Sequence, residues 1–240
     1  MTPCFERSFK EPESNLAYDE ALLLEAEKGK IPECVRIWES PTYFVVLGLT
    51  SEIKKDVIVS ECRKKNIPIL RRASGGGTVL QGPGCLNYSL ILSTENNENL
   101  KNINSSYRWI LQKLQSALHA EGLSTMYCPI SDLSIDGKKF SGNAQIRKKH
   151  FLLHHGTILY QFNISQMGMV LCHPPKEPDY RRGRDHRDFI TNIPLPRHVI
   201  TTLITSAFHT TRVLDTGAPK LDLRFLFKNK YKNLEWINRF

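Results

Sequence analysis

The chain has 240 residues, enough for one large domain or two small ones around a sizeable core. Apolar residues make up 40% and charged residues 24%, the balance of a soluble globular protein, and no apolar run approaches the roughly 18 residues a membrane span requires. A formal charge of +9, from 33 basic and 24 acidic residues, favours an acidic partner: nucleic acid, an anionic membrane or an acidic protein. Six scattered cysteines (Cys4, Cys34, Cys62, Cys85, Cys128, Cys172) form no C-x-x-C pair. The N-terminus is polar and charged rather than secretory, so the chain reads as a reduced, cytoplasmic protein.

Ser14 to Glu27 has the pattern of an amphipathic helix, with Ser14 as N-cap and Gly29 just past its end. Cys34 to Leu49 is β-like with a break at Pro41, and residues 52–65 are helical in pattern and end in Arg63-Lys64-Lys65. A short strand from Ile67 to Leu70 then enters Arg71-Arg72-Ala73-Ser74-Gly75-Gly76-Gly77-Thr78-Val79, around which the chain is organised. Three consecutive glycines lose much backbone freedom on folding, which suits a loop that must approach a ligand closely. Its N–H groups form a donor surface for anions, and the arginines bring forked charge suited to phosphate or carboxylate. The plainer reading is a glycine-rich hairpin with solvated arginines. Neither G-x-x-x-x-G-K-[ST] nor G-x-G-x-x-G opening a helix is present.

Cys85 to Leu92 reads as a strand, and Glu95 to Asn104 as a polar surface loop. Tyr107, Ile110, Leu111, Leu114 and Leu118 fall on one helical face, closed by Gly122. Ser131 to Ile135, the Asp136-Gly137 turn and Lys138 to Arg147 form a predicted β-hairpin. Plain alternation puts Lys139, Ser141, Asn143, Gln145 and Arg147 on one face and Phe140, Gly142, Ala144 and Ile146 on the other. That polar row is either solvent-facing or lines a polar pocket. A turn at residues 148–150 leads to a strand from Phe151 to Tyr160, on which His154 and His155 point to opposite faces and share no metal. A Pro- and Arg-rich loop, a helix at 197–209 and a basic tail complete the chain. Repeats and linkers are absent, so the reading is one α/β (α+β) domain over 1–240 with a mixed, largely antiparallel sheet flanked by helices.

Three segments together resemble the lipoate–protein ligase and octanoyltransferase family, relatives of biotin–protein ligases: RRASGGGTV with GPGCLNYSL, SDLSIDGKKFSGNAQ, and HHGTILY. The match spans about residues 35–160, and PPKEPDYRRGRDHRDFITN is similar to a stretch of short single-domain members. The resemblance implies the biotin/lipoate protein ligase catalytic fold, with ATP and Mg²⁺ as cofactors and lipoate or octanoate as substrate. It implies Lys139 as the catalytic lysine, touching both acyl carbonyl and adenylate. Arg72, Gly77, Thr78, Val79, Leu80 and Asp132 would hold the nucleotide, with Asp132 near nucleotide or Mg²⁺. Ser74, Gly75, Gly76, Asn87, Gly142, Asn143, His155, Gly156 and Thr157 would line the substrate site, its remaining wall apolar for a C8 chain. A fixed ammonium with backbone donors suits chemistry that builds charge on phosphate and carbonyl oxygen.

The expected activity is ATP-dependent activation of lipoate and its transfer to a lysine of acidic lipoyl-acceptor carrier domains of 2-oxoacid dehydrogenase or glycine cleavage proteins. Classical ligases carry a C-terminal accessory domain that this length leaves no room for, so a separate accessory protein or transfer alone are alternatives. Octanoyl transfer from a carrier thioester through Cys128, eleven residues before Lys139, is the other enzymatic reading. A basic nucleic-acid-binding module is the reading from a different class, but no RNP, KH or helix-turn-helix signature accompanies the charge. The balance of features favours the ligase, with neither nucleic acid nor membrane as partner.

Overall fold

The computed structural model describes residues 2–95, 97–212 and 217–240. Strand β1 (Thr2–Glu6) leads into helix α1 (Pro12–Glu27), then β2 (Cys34–Trp38) and β3 (Phe44–Leu47). Two short helices, α2 (Ile53–Asp56) and α3 (Val59–Lys64), stand where one was expected, split where Val57 turns to extended backbone and bridges Leu171. Next come β4 (Ile69–Arg71), β5 (Val79–Gln81), β6 (Cys85–Ser93), α4 (Ile103–Ala120), β7 (Thr125–Cys128), β8 (Asp132–Ile135), β9 (Lys138–Arg147) and β10 (Phe151–Leu159). The remaining elements are α5 (Ser165–Val170), α6 (His186–Phe189), α7 (Arg197–Ala207), β11 (Thr210–Arg212), α8 (Arg224–Leu226), a π-turn at Phe227–Tyr231 and α9 (Leu234–Ile237).

Eight strands form one mixed sheet in the order β11-β1-β2-β6-β10-β9-β8-β7, in which β1 runs parallel to both its neighbours and the other pairs are antiparallel. A smaller sheet, β4-β3-β5, carries the glycine loop between β4 and β5. The apolar stripe of α4, with Tyr107, Ile110, Leu111, Leu114 and Leu118 all buried, packs with α7 on one face of the large sheet. Each such aliphatic side chain contributes roughly 1.5–3 kcal/mol on burial. Gly122, at φ +79°, ends that helix, and Asp136 and Gly137, both at positive φ, make the tight turn of the β8–β9 hairpin.

Helix α1 covers the opposite face and departs from its expected amphipathic character. Ser14 does not cap it. Glu11 stands at the N-cap, and Ser14, Asn15, Asp19 and Glu20 are buried inside the helix. Asp19 receives Arg36 at 2.7 Å, Ser89 Oγ at 2.8 Å and the Trp38 indole, while the Arg36 guanidinium also donates to Asn15. Polar residues read as a solvated face are therefore a buried network that ties α1 to β2 and β6.

The expected basic tail is a folded strap. Leu226, Tyr231 and Ile237 are buried against α1, Trp38, Val46 and Leu70. Tyr231 Oη donates to Glu20 at 2.7 Å, Lys230 pairs with the same carboxylate, and Trp236 donates to the Arg71 carbonyl at 3.1 Å.

Candidate active site

The two adjacent arginines go separate ways, and neither is solvated. Arg71 is fully buried and donates to the carbonyls of Ile237, Gly48, Leu49 and Ser51 at 2.8–3.2 Å, which makes it the clasp of the C-terminal strap. Arg72 turns toward the glycine loop. Its guanidinium donates to Ser74 Oγ at 3.0 Å, Gly75 O at 2.6 Å, Gly77 O at 2.9 Å and Val46 O at 3.3 Å. Burial lowers its pKa to about 10. The loop's carbonyls are thus turned inward onto a cation. Gly75, Gly76 and Gly77 stay exposed, and a Cβ on Gly75 or Gly77 would meet open space. Gly48 has no room for a Cβ because the Gly76 carbonyl lies against it.

Ser74 Oγ, accepting from Arg72, also hydrogen-bonds His155 Nε2 at 2.7 Å. Burial, then the Arg72 charge, pushes the His155 pKa down to about 4, so the imidazole is neutral at physiological pH. This contact joins the small sheet to β10. His155 pairs in register with Ala144 of β9, which places it on the sheet face covered by α1. Past the loop, Thr78 Oγ1 donates to Asp56 at 2.5 Å, Val79 packs beneath the strap, and Leu80 is a core residue. Asp56 escapes sequence reading because nothing in Ile53-Lys54-Lys55-Asp56 distinguishes it from a helix-end carboxylate.

Lys139 lies on the same face as His155, and this overturns the simple alternation of β9. Leu133 pairs with Ser141 and Ser134 with Lys139, so Phe140 is the extra residue of a β-bulge. The bulge turns Phe140 into the α4-side core and moves Lys139 to the face of Gly142 and Asp132. Lys139 Nζ meets Asp132 Oδ1 at 2.8 Å, and Tyr180 Oη donates to Asp132 Oδ2 at 2.9 Å. A Cβ on Gly142 would lie 2.9 Å from both Cε and Nζ of Lys139, so this glycine makes the channel for the lysine side chain.

The rest of the polar row faces α4 rather than solvent. Gln145 and Arg147 meet Ser106 of α4, and Arg147 also donates to the Leu100 carbonyl. Asn143 accepts from Tyr88 Oη and donates to Ser131 O at 2.8 Å. Gly156 is glycine because a Cβ there would collide with Asn143 Oδ1 and lie 2.7 Å from Tyr88 Oη. Asn143 and Gly156, expected to line the substrate site, therefore lie on the α4 side of the sheet. Asn87 and Thr157, paired with each other, share the His155 face, and Asn87 is buried with its amide on Cys85 O at 3.2 Å. Asp132 holds Lys139 through Oδ1 and accepts from Tyr180 through Oδ2. Among the described residues no cluster of three or more His, Cys, Asp or Glu side chains could hold a metal.

The space behind Arg72, Ala73 and His155 is walled by Leu16, Ile146 and Leu153, but also by Asp19, Glu20 and Tyr231. It encloses about 10 Å³, a volume for one water, so an acyl chain enters there only after side chains move. Its wall thus mixes apolar side chains with two buried carboxylates.

Cys128, at the end of β7, pairs with Asp132 and so shares the Lys139 face. Its Sγ lies 3.2 Å from Ser134 Oγ. Cys34, Cys62, Cys85, Cys128 and Cys172 form no disulfide.

Solved structures share this architecture. The bi-partite lipoate protein ligase of Thermoplasma acidophilum superposes with TM-score 0.82 at 21% identity, over 100% of this chain and 97% of that one. A lipoate-protein ligase A bound with ATP gives 0.82 at 21% identity, over 99% of each chain. The fold is that of lipoate ligases. The chain belongs to the lipoyl protein ligase A/B catalytic domain family, whose sequence model matches residues 11–202, and it is an enzyme of the lipoate ligase/octanoyltransferase class. A probable lipoate-protein ligase A of Mycoplasma pneumoniae is 31% identical over 160 residues, 67% of this chain and 46% of that protein. The octanoyltransferase LipM of Geobacillus kaustophilus is 28% identical over 201 residues, 73% of this chain and 71% of that protein. The matched region is thus under half of the Mycoplasma relative's length.

Proposed function

We propose that this chain activates lipoate with ATP and passes the lipoyl group to a lysine of an acidic acceptor domain. The observation that carries this reading is the pairing of two features on one sheet face. An exposed glycine loop is held from behind by Arg72, and a lysine is delivered by a bulge over Gly142. Open Cβ directions at Gly75 and Gly77 leave room for phosphates to approach the loop backbone. The carboxylate of the acid attacks the α-phosphate and pyrophosphate leaves. The acceptor amine then attacks the carbonyl carbon, AMP departs and the amine's proton passes to solvent. Charge develops on the carbonyl oxygen and the phosphate, where a preformed ammonium is most effective. Lys139 supplies that ammonium, and Ser74, bridging Arg72 and His155, fixes the loop's position. Magnesium would arrive with the nucleotide, whose phosphates supply much of its oxygen shell in sites of this kind.

The LipM relatives, together with a thiol on the Lys139 face, favour a second reading: octanoyl transfer from a carrier thioester through Cys128. Its thiol has a serine hydroxyl as its hydrogen-bond partner rather than an imidazole base, which supports the ligase over the transferase.

Two mixtures separate them: lipoate, ATP, Mg²⁺ and acceptor domain, or octanoyl-carrier protein and acceptor domain. The ligase forms product in the first, and Cys128→Ser retains it. Product confined to the second, with an acyl mass shift on Cys128, rejects the ligase.

A further inference from the structure

The segment between α5 and α7 lies over the β8–β9 hairpin and grips Lys139 from two sides. Thr191 N donates to Lys139 O at 2.9 Å, and Ile190 bridges the same residue in parallel, which fixes its backbone. Tyr180 Oη reaches Asp132 Oδ2, whose other oxygen holds the ammonium. Arg184 locks the arrangement by donating to Gly137 O at the hairpin turn, 3.0 Å, and to Tyr180 O, 2.7 Å. The Tyr180 ring packs on Phe189 with centroids 5.1 Å apart, so its hydroxyl is aimed by a rigid neighbour.

We propose that Tyr180 is a positioning residue for Lys139, acting through Asp132; its place in acyl transfer rests on the function proposed above. A nearly buried carboxylate with one oxygen unsatisfied would rotate or recruit water, and either response moves the lysine's anchor. With Tyr180 donating to Oδ2, only Oδ1 faces Lys139, and the ammonium is held at one point rather than over an arc. Burial, reinforced by the Asp132 charge, raises the phenol's pKa, so it remains a donor at any working pH.

The test uses the full chain as Tyr180→Phe, Asp132→Asn and the double variant. Phenylalanine keeps the ring on Phe189 and removes only the hydroxyl. The first measurement needs no substrate: acetylation of Lys139 by acetic anhydride, followed by peptide mass spectrometry with the other lysines as internal reference. Lys139 should label about threefold faster in Tyr180→Phe and faster still in Asp132→Asn, with no further gain in the double variant. The second measurement is acyl transfer, where kcat should fall about tenfold in Tyr180→Phe with KM for acyl donor and acceptor within about twofold. Unchanged Lys139 labelling in Tyr180→Phe, or losses that multiply in the double variant, overturns the proposal. Wild type that is inert with both acyl sources rejects the functional reading instead, and the labelling result then decides the Tyr180 link alone.

Discussion

Two glycines on neighbouring strands do opposite jobs, and the difference is measurable. At Gly142 an added methyl meets the flexible end of Lys139, which can swing aside. Gly142→Ala should therefore fold with stability within about 1 kcal/mol of wild type, yet lose roughly tenfold or more in acyl transfer as the ammonium leaves its post. At Gly156 the methyl meets Asn143 and Tyr88, held together by their own hydrogen bond inside the core. Gly156→Ala should cost about 2 kcal/mol or more in urea denaturation. Equal stability of the two variants would contradict the assignment of faces. His154 gives a pH signature on the same buried side. Gln145 accepts from Ser106 through Oε1, so its amide nitrogen donates to His154 Nδ1 at 3.1 Å and fixes the neutral Nε2–H tautomer. Burial, then the neighbouring His155, pushes the His154 pKa down to about 3. A histidine whose pKa is lower folded than unfolded binds more protons when unfolded, so stability falls with pH between about 6.5 and about 3. His154→Gln should flatten that decline. An unchanged slope of urea midpoint against pH would remove His154 as its source.

At the scale of elements, the glycine loop and the C-terminal strap meet back to back through Arg71 and Arg72. Arg71→Ala leaves the Ile237, Gly48, Leu49 and Ser51 carbonyls without their charged donor, and should cost about 2 kcal/mol or more. It should also expose residues 217–240 to limited proteolysis. Arg72→Ala should spare the strap and loosen the loop, so that affinity for a non-hydrolysable acyl-adenylate falls at least tenfold while Arg71→Ala changes it far less. Matching losses of affinity would mean that the two side chains are not divided in this way. What Arg71 clasps was not legible in the sequence, but the parting of the two side chains was, in the alternation of an extended chain. So were the α4 stripe, the Asp136-Gly137 turn and the opposed histidines. The bulge at Phe140 was not: an extra residue in a ladder has no signature when both strands alternate acceptably on paper. Nor were Asp56, the buried face of α1 or the strap. Each depends on partners more than 15 residues away in sequence, such as Arg36 for Asp19 and Glu20 for Tyr231, and a carboxylate's burial is decided by what folds over it. Strands β1, β7 and β11 are too short to carry a period and exist because a neighbour's edge pairs with them.

For the molecule as a whole, the +9 formal charge bears on how it meets its partner more than on how it folds. The buried ion pair of Arg36 with Asp19 is internal bookkeeping between elements, whereas most other lysine–carboxylate pairs, such as Lys55 with Glu52 and Lys64 with Glu61, lie exposed within one helical turn or beside a helix end and add little. The excess positive charge is therefore available to attract an acidic domain over a distance. Association with an acidic acceptor domain should be fastest at low ionic strength and slow as salt rises. The screening length shrinks from about 30 Å at 0.01 M to about 8 Å at 0.15 M, so most of the fall should come below physiological salt. Dissociation should change less, because it reports contacts already made. Stopped-flow measurements across that range provide the test, with duplex DNA as a parallel titrant. Association rates flat in salt would remove charge steering from the account. Tight, steeply salt-dependent binding to the duplex would instead assign the charge to a polyanion, since neutralising each phosphate releases condensed counterions and raises the salt slope with every contact.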